Sequence, residues 1–140
     1  MNSYTQAHID GCRERMTAQV AAYQALAESK SKGASARKPP GAWARFELHF
    51  FRNLLLALDH HFVHRARGKE GKDGNPLNEV RMLCNSIVDN AGVLRADTTI
   101  KYDPSSTVLK LCIGDEIALG ADDYMRLMLA FLSGIERRYP

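Results

Sequence analysis

Residues 43–65 read WARFELHFFRNLLLALDHHFVHR and form the most hydrophobic stretch of this 140-residue chain. On a helix its apolar side chains cover most of the circumference rather than one stripe. They are Trp43, Phe46, Leu48, Phe50, Phe51, Leu54, Leu55, Leu56, Leu58, Phe62 and Val63. A helix that is apolar nearly all round is buried by neighbours on several sides or by a second subunit. The stretch therefore predicts a buried central helix over 43–65. Because three amphipathic partners would not cover that helix fully, it also favours a homodimer.

Three further helices are predicted from apolar residues that recur every three or four positions. They span about 3–28, 75–88 and 121–138, and the second begins at Asn75 and Pro76, residues suited to the N-cap and first helical positions. The residues predicted to be buried are Ile9, Cys12, Met16, Val20, Tyr23 and Leu26 in the first helix, Leu77, Val80, Leu83, Cys84 and Ile87 in the second, and Tyr124, Leu127, Met128, Phe131 and Ile135 in the last.

The stretch from 97 to 119 changes from helical to alternating periodicity. Residues 108–113 and 116–119 read as two short strands around Gly114-Asp115, a pair suited to a type II′ hairpin turn. Ile100 and Tyr102 add a third alternating segment. The predicted fold class is thus mainly α (α+β): a four-helix bundle-like domain with a short β-hairpin or three-stranded sheet before the last helix.

Composition indicates one domain over 1–140, with 45% hydrophobic and 25% charged residues. Residues 29–42 read SKSKGASARKPPGA, which predicts a flexible basic connection. The net charge of +3 is mild for a dedicated nucleic-acid binder. The three cysteines, Cys12, Cys84 and Cys112, lack CxxC spacing and are expected to be buried apolar residues rather than a disulfide framework or zinc site.

The start of the chain lacks the basic and apolar regions of a secretory signal, and its longest apolar run, 54–58, is too short to span a bilayer. A cytoplasmic location is therefore expected.

A group of histidines ends the central helix. His60 and His64 are four residues apart and share one face, which is a spacing suited to two metal ligands. His49 lies roughly 16 Å along the axis from His60 and cannot share an ion with it. The general-base glutamate of an HExxH motif is missing. The alternative is that these histidines cap the carboxyl end of the helix.

A basic, glycine-containing loop follows over 65–75. Its cations precede a helix start, where unpaired N–H groups and positive side chains together form a generic anion site. The predicted anion-binding residues are Arg65, Arg67, Lys72 and Asn75. The ending of a phosphate-binding P-loop is missing, so nucleotide hydrolysis is not implied. The alternative is a solvated loop that Glu70 and Asp73 partly neutralise.

Residues 62–87, FVHRARGKEGKDGNPLNEVRMLCNSI, and 114–119, GDEIAL, resemble a group of small uncharacterised bacterial proteins over about the last two thirds of the chain. The resemblance implies a bacterial cytoplasmic origin but no activity and no site residues.

The expected function is a small non-enzymatic binding or interaction protein that contacts an anionic ligand or a protein partner through loop 65–75. The alternative is a metal-binding protein or metal-dependent enzyme that uses His60 and His64. A weaker alternative is nucleic-acid binding. The sequence implies no particular cofactor and shows no motif of a catalytic nucleophile.

Overall fold

The computed structural model describes residues 1–32 and 40–140. Within them the chain forms four long helices, α1 (Gln6–Lys32), α2 (Pro40–His60), α4 (Pro76–Asp89) and α5 (Ala121–Arg138), and one short helix, α3 (Arg67–Glu70). A 3-10 turn covers Pro104–Ser106. Residues 33–39 of the predicted flexible connection lie outside the described residues, whereas 29–32 and 40–42 belong to α1 and α2. No helix in the described ranges has the length and apolarity needed to cross a membrane.

The long helices pack as a bundle in which α2 and α5 each contact the three others. α5 buries one continuous stripe, including the five residues that the periodicity predicted. The stripe of α1 is confirmed from Ile9 to Tyr23, but Leu26 is 51% exposed because α1 extends past the end of the core. These faces meet in one hydrophobic core.

The prediction that α2 is buried all round is wrong. Its fully covered residues, Phe51, Leu54, Leu55 and Leu58, lie on one side of the helix, while Phe46 is 42% exposed. The helix also ends at His60 rather than Arg65, and a turn carries the chain onward. Three neighbouring helices suffice to cover the buried side. Of the other apolar residues, Trp43 and Leu56 pack partly against the core, and Phe46, Leu48 and Phe50 line grooves on the surface.

The predicted β-hairpin or three-stranded sheet is also wrong: no strand is present in the described residues, where an isolated antiparallel bridge joins Val93 to Glu116. The N–H groups of Val108 and Leu109 donate to a side chain, the carboxylate of Glu79, at 2.9 and 3.0 Å. Lys110 then adopts a φ of 56°, which an extended strand does not allow. The alternating pattern here reflects an irregular segment in which Val108, Leu109 and Leu111 pack against the core while Ile113 is 47% exposed.

Glu79 holds this segment against α4. The residue is 2% exposed. Burial raises the pKa of its carboxyl above the ordinary value, and the hydrogen bonds from Leu109 and Val108 offset only part of that effect.

The next turn of the segment pairs with the chain that follows α4. Gly114 donates to the Leu94 carbonyl at 2.8 Å, and Ile117 donates to the Gly92 carbonyl at 2.8 Å. Ile117 in turn accepts from Arg52 Nε of α2 at 2.8 Å. The backbone groups that a hairpin would have paired with each other are thus used by other parts of the fold.

Candidate functional site

Arg65, a predicted anion ligand, is buried and only 4% exposed. Its Nε donates to Glu70 Oε1 at 2.8 Å, and its Nη1 donates to Asp59 Oδ1 at 2.9 Å and to the Phe62 carbonyl at 3.1 Å. The guanidinium also lies 5.3 Å from the centroid of the Phe131 ring. Arg65 thus joins the end of α2 to α3 inside the protein, and its charge does not face a surface ligand.

Glu70 is fully buried and joins α3 to α4. Arg81 donates to both of its oxygens, at 2.7 Å from Nη2 and 2.9 Å from Nε, and Asn78 Nδ2 donates at 2.9 Å. Burial by itself raises the pKa of this carboxyl, but the hydrogen bond from Arg81 and the charges of Arg65 and Arg81 outweigh it. The pKa of Glu70 is therefore lowered below its ordinary value. The hydrogen bond to Glu70 is also the main reason that the pKa of Arg81 is raised.

Asn75, another predicted anion ligand, is the N-cap of α4. Its side-chain oxygen accepts from the N–H groups of Leu77 and Asn78, at 2.9 and 3.2 Å. Its amide nitrogen donates to the Glu70 carbonyl at 2.8 Å and to Asp73 Oδ1 at 2.7 Å. The start of α4 is thus capped by the protein's own side chain, as the Asn-Pro pair predicted. Its first N–H groups are already paired.

Two predicted ligands, Arg67 and Lys72, are exposed, and other cations lie near them. The Lys101 N–H donates to the Lys72 carbonyl at 2.9 Å, which places these two lysines on adjacent chain segments. Arg67 Nε lies 4.0 Å from Glu70 Oε2, at the outer edge of the buried network. We call the resulting surface the basic face and define it by Arg67, Lys72, Arg81, Arg95 and Lys101.

Asp97 lies within the basic face. Hydrogen bonds from the Thr99 hydroxyl and N–H are the main reason that its pKa is lowered, and the charges of Arg67 and Arg81 add to the effect. Asp97 and Arg95 also line one small cavity of about 260 Å³ beside α4. The basic face therefore extends from α3 across α4 to the segment after it, with Asp97 among its cations and the exposed Asp73 next to Lys72.

His60 and His64 lie together at a second location. They line a cavity of about 460 Å³, which we call the histidine cavity, and His8 and His61 line it as well. His49 lines separate grooves along α2, in agreement with its predicted axial separation. Within residues 1–32 and 40–140, no three His, Cys, Asp or Glu side chains are grouped so as to hold a metal ion. His60 and His64, the two predicted metal ligands, thus line one cavity, and the described residues add no third side chain that would complete a metal site with them.

Helix capping by a histidine is observed, but at His61. Its Nδ1 lies 2.7 Å from the Ala57 carbonyl oxygen, and since a carbonyl only accepts, the imidazole donates from Nδ1. Its Nε2 then accepts from Arg15 Nη1 at 3.3 Å. His61 is thereby held in one tautomer.

Sequence reasoning missed several of these residues. The partnership of Glu70 with Arg81 crosses eleven positions between two helices, and no spacing rule signals it. His8 stands alone in its helix and joins the other histidines only through packing. Cys112, expected to be buried, is exposed, whereas Cys12 and Cys84 are buried as expected. Burial raises the pKa of the Cys12 thiol to about 11.

No protein-family model, curated protein or solved structure matches this chain.

Proposed function

We propose that this is a small non-enzymatic binding protein whose basic face contacts the acidic surface of a protein partner. The observation that supports this most is the burial of Glu70. Because Arg65 and Arg81 neutralise that carboxylate in the interior, it does not offset the exposed charge of Lys72 and offsets that of Arg67, 4.0 Å away, only in part. The outer surface of loop 65–75 is thus more basic than its composition indicates.

An extended partner fits this surface better than a small anion does. The two residues best placed in the sequence to surround an anion, Arg65 and Asn75, already bind groups of the protein itself. The remaining cations are spread over three chain segments, and the small cavity beside Arg95 is also lined by the acidic residue Asp97. Several dispersed contacts of modest strength are typical of charge-complementary protein association.

The test is a double charge reversal, Lys72→Glu/Arg95→Glu, with binding to polyglutamate measured by fluorescence anisotropy at low salt. Both side chains are exposed and lie outside the Glu70 network. We expect the dissociation constant to rise about 10-fold, since exposed ion pairs contribute up to about 1 kcal/mol each. The double variant Arg45→Glu/Lys110→Glu, which has the same net charge, should change the dissociation constant less than about 2-fold.

Equal weakening by both double variants would show a response to net charge alone and would contradict the proposal. Random-sequence duplex DNA serves as the second ligand. Tighter binding of DNA than of polyglutamate, with a steep salt dependence lost in Lys72→Glu/Arg95→Glu, would replace the acidic protein partner with nucleic acid.

We also propose that the protein forms a homodimer, with an interface that covers one part of α2 rather than its whole exposed side. The exposed ring of Phe46 lies beside a groove of about 300 Å³ between α1 and α2, and the groove is lined by Gln19, His49, Phe50, Asn53, Leu54 and Ala57. A twofold interface presents the same patch from both copies, so the projecting ring of one copy can fill the groove of the other.

We also propose a bacterial cytoplasmic setting for the protein, which is supported by the resemblance of residues 62–87 and 114–119 to small bacterial proteins.

Sedimentation velocity at micromolar concentration tests the dimer. We expect the wild-type protein to sediment at twice the 15.6 kDa chain mass and Phe46→Glu to sediment as the single chain, because a buried charge opposes an apolar interface. Val88→Glu is the control, since Val88 is 68% exposed on α4 and lies on another helix. A wild-type protein found only as a 15.6 kDa species would contradict the dimer.

A further inference from the structure

We propose that the histidine cavity is a binding site for a small aromatic carboxylate, distinct from the basic face. The cavity lies between the first residues of the chain and the end of α2. Its volume of about 460 Å³ is within the range of small-molecule sites. Four of the five histidines of the chain line it, although they come from two distant parts of the sequence.

The inner wall of the cavity is fixed to the core. The Tyr4 N–H donates to the Tyr139 carbonyl at 3.1 Å, and the Tyr4 ring meets the ring of Phe62 edge to face at 4.9 Å. Phe62 and Tyr139 are fully buried. A ligand would therefore pack against a wall that is already formed, so binding would require little ordering of the protein.

The rings on this wall suit a flat ligand. The His8 ring stacks on Tyr4 at 5.6 Å and meets Phe62 edge to face at 5.1 Å. Its Nε2 donates to the His61 carbonyl at 2.7 Å, which holds the ring in place. Imidazole and phenol rings with fixed orientations offer faces and edges against which another aromatic ring can pack.

The charges around the cavity favour an anion. Its lining contains four imidazoles and no carboxylate among the described residues. The nearest acid on α2, Asp59, is held by Arg65 at 2.9 Å. On the α1 side the charged and titratable groups are His8, Tyr4 and Arg15, and the Met1 amino group donates to the His64 carbonyl.

His60 and His64 are exposed at the mouth of the cavity. An imidazole ring has an N–H group that donates hydrogen bonds. A carboxylate held between these two side chains would therefore accept hydrogen bonds from them.

The test is a titration of the protein with benzoate, followed by NMR of the histidine ring signals. We expect saturable shifts of the His8 and His61 signals. Benzyl alcohol, which has the ring without the charge, should bind about 10-fold more weakly than benzoate. Acetate, which has the charge without the ring, should also bind more weakly than benzoate.

The double variant His60→Ala/His64→Ala removes two ring donors at exposed positions. We expect it to bind benzoate about 10-fold more weakly while its thermal unfolding stays close to that of the wild type. His49→Ala, which alters the histidine outside the cavity, should leave binding unchanged. The proposal is overturned if benzoate causes no saturable shift at His8 or His61, or if His49→Ala weakens benzoate binding as much as the double variant does.

Discussion

Replacing Glu70 with alanine is expected to lower the free energy of unfolding by about 3–5 kcal/mol, the usual result of removing one partner from a buried ion pair. The carboxylate is fully buried and accepts hydrogen bonds from Arg65, Arg81 and Asn78. Without it two guanidinium groups lose a shared partner, and Arg65 cannot regain water because it is 4% exposed. Urea denaturation followed by circular dichroism measures the change.

Glu116→Ala is the matched control for this experiment. The side chain of Glu116 is 67% exposed and lies 3.8 Å from Arg52. Exposed pairs contribute up to about 1 kcal/mol, so its loss should be small. Equal effects of Glu70→Ala and Glu116→Ala would contradict the importance assigned to the buried network.

The same carboxyl should make stability sensitive to acid. The folded protein lowers the pKa of Glu70 below its ordinary value of 4.5, so its contribution is present above about pH 4.5 and is lost as the pH falls through the folded value. The difference in stability between the wild type and Glu70→Gln should therefore shrink below about pH 4.5.

Gly74→Ala is the second change expected to have a large effect. Gly74 has a φ of 86°, and a Cβ added there would lie 2.4 Å from the backbone oxygen of Lys101. The backbone conformation costs roughly 1–2 kcal/mol for a residue with a side chain, and relief of the overlap costs roughly 1–3 kcal/mol more. We expect thermal and urea denaturation to show a loss of about 2–5 kcal/mol, the sum of these two ranges.

Gly68→Ala provides the comparison for Gly74→Ala. A Cβ added at Gly68 would meet nothing within 4 Å, and the residue lies in α3. Its replacement should be neutral or stabilising by up to about 1 kcal/mol. If both alanine variants had the same stability, the close approach of the 71–74 loop to Lys101 could not be a determinant of the fold.

The positions of the long helices follow from the sequence because their apolar residues repeat with the helical period. That period alone was enough to predict the buried stripes of α1, from Ile9 to Tyr23, and of α5. The start of α4 also depends only on neighbouring residues, because Asn75 caps the helix with its own side chain and Pro76 follows at the first helical position.

The segment over 108–113 shows where local pattern fails. Its alternation predicted a strand, but a strand needs a neighbouring backbone to accept its N–H groups. Glu79, some thirty residues earlier, accepts the N–H groups of Val108 and Leu109 instead. A spacing rule cannot identify an acceptor that is brought there by the packing of another helix.

The candidate sites divide in the same way. The sequence identified loop 65–75 as basic and His60 with His64 as close neighbours, although α2 ends at His60 and His64 lies in the turn that follows. It could not show that Arg65 is buried and paired with Glu70 while Lys72 is exposed, because burial depends on which elements pack over the loop.

The predicted all-round burial of residues 43–65 was corrected for the same reason. By itself the sequence determined where helices form and which residues cap them, since those outcomes depend on side chains a few positions apart. Only the tertiary structure decided which side of α2 is covered, which charges are neutralised inside and how His8 reaches the end of α2. Those outcomes depend on contacts between residues far apart in the chain, whose free energies are set by burial and pairing rather than by local spacing.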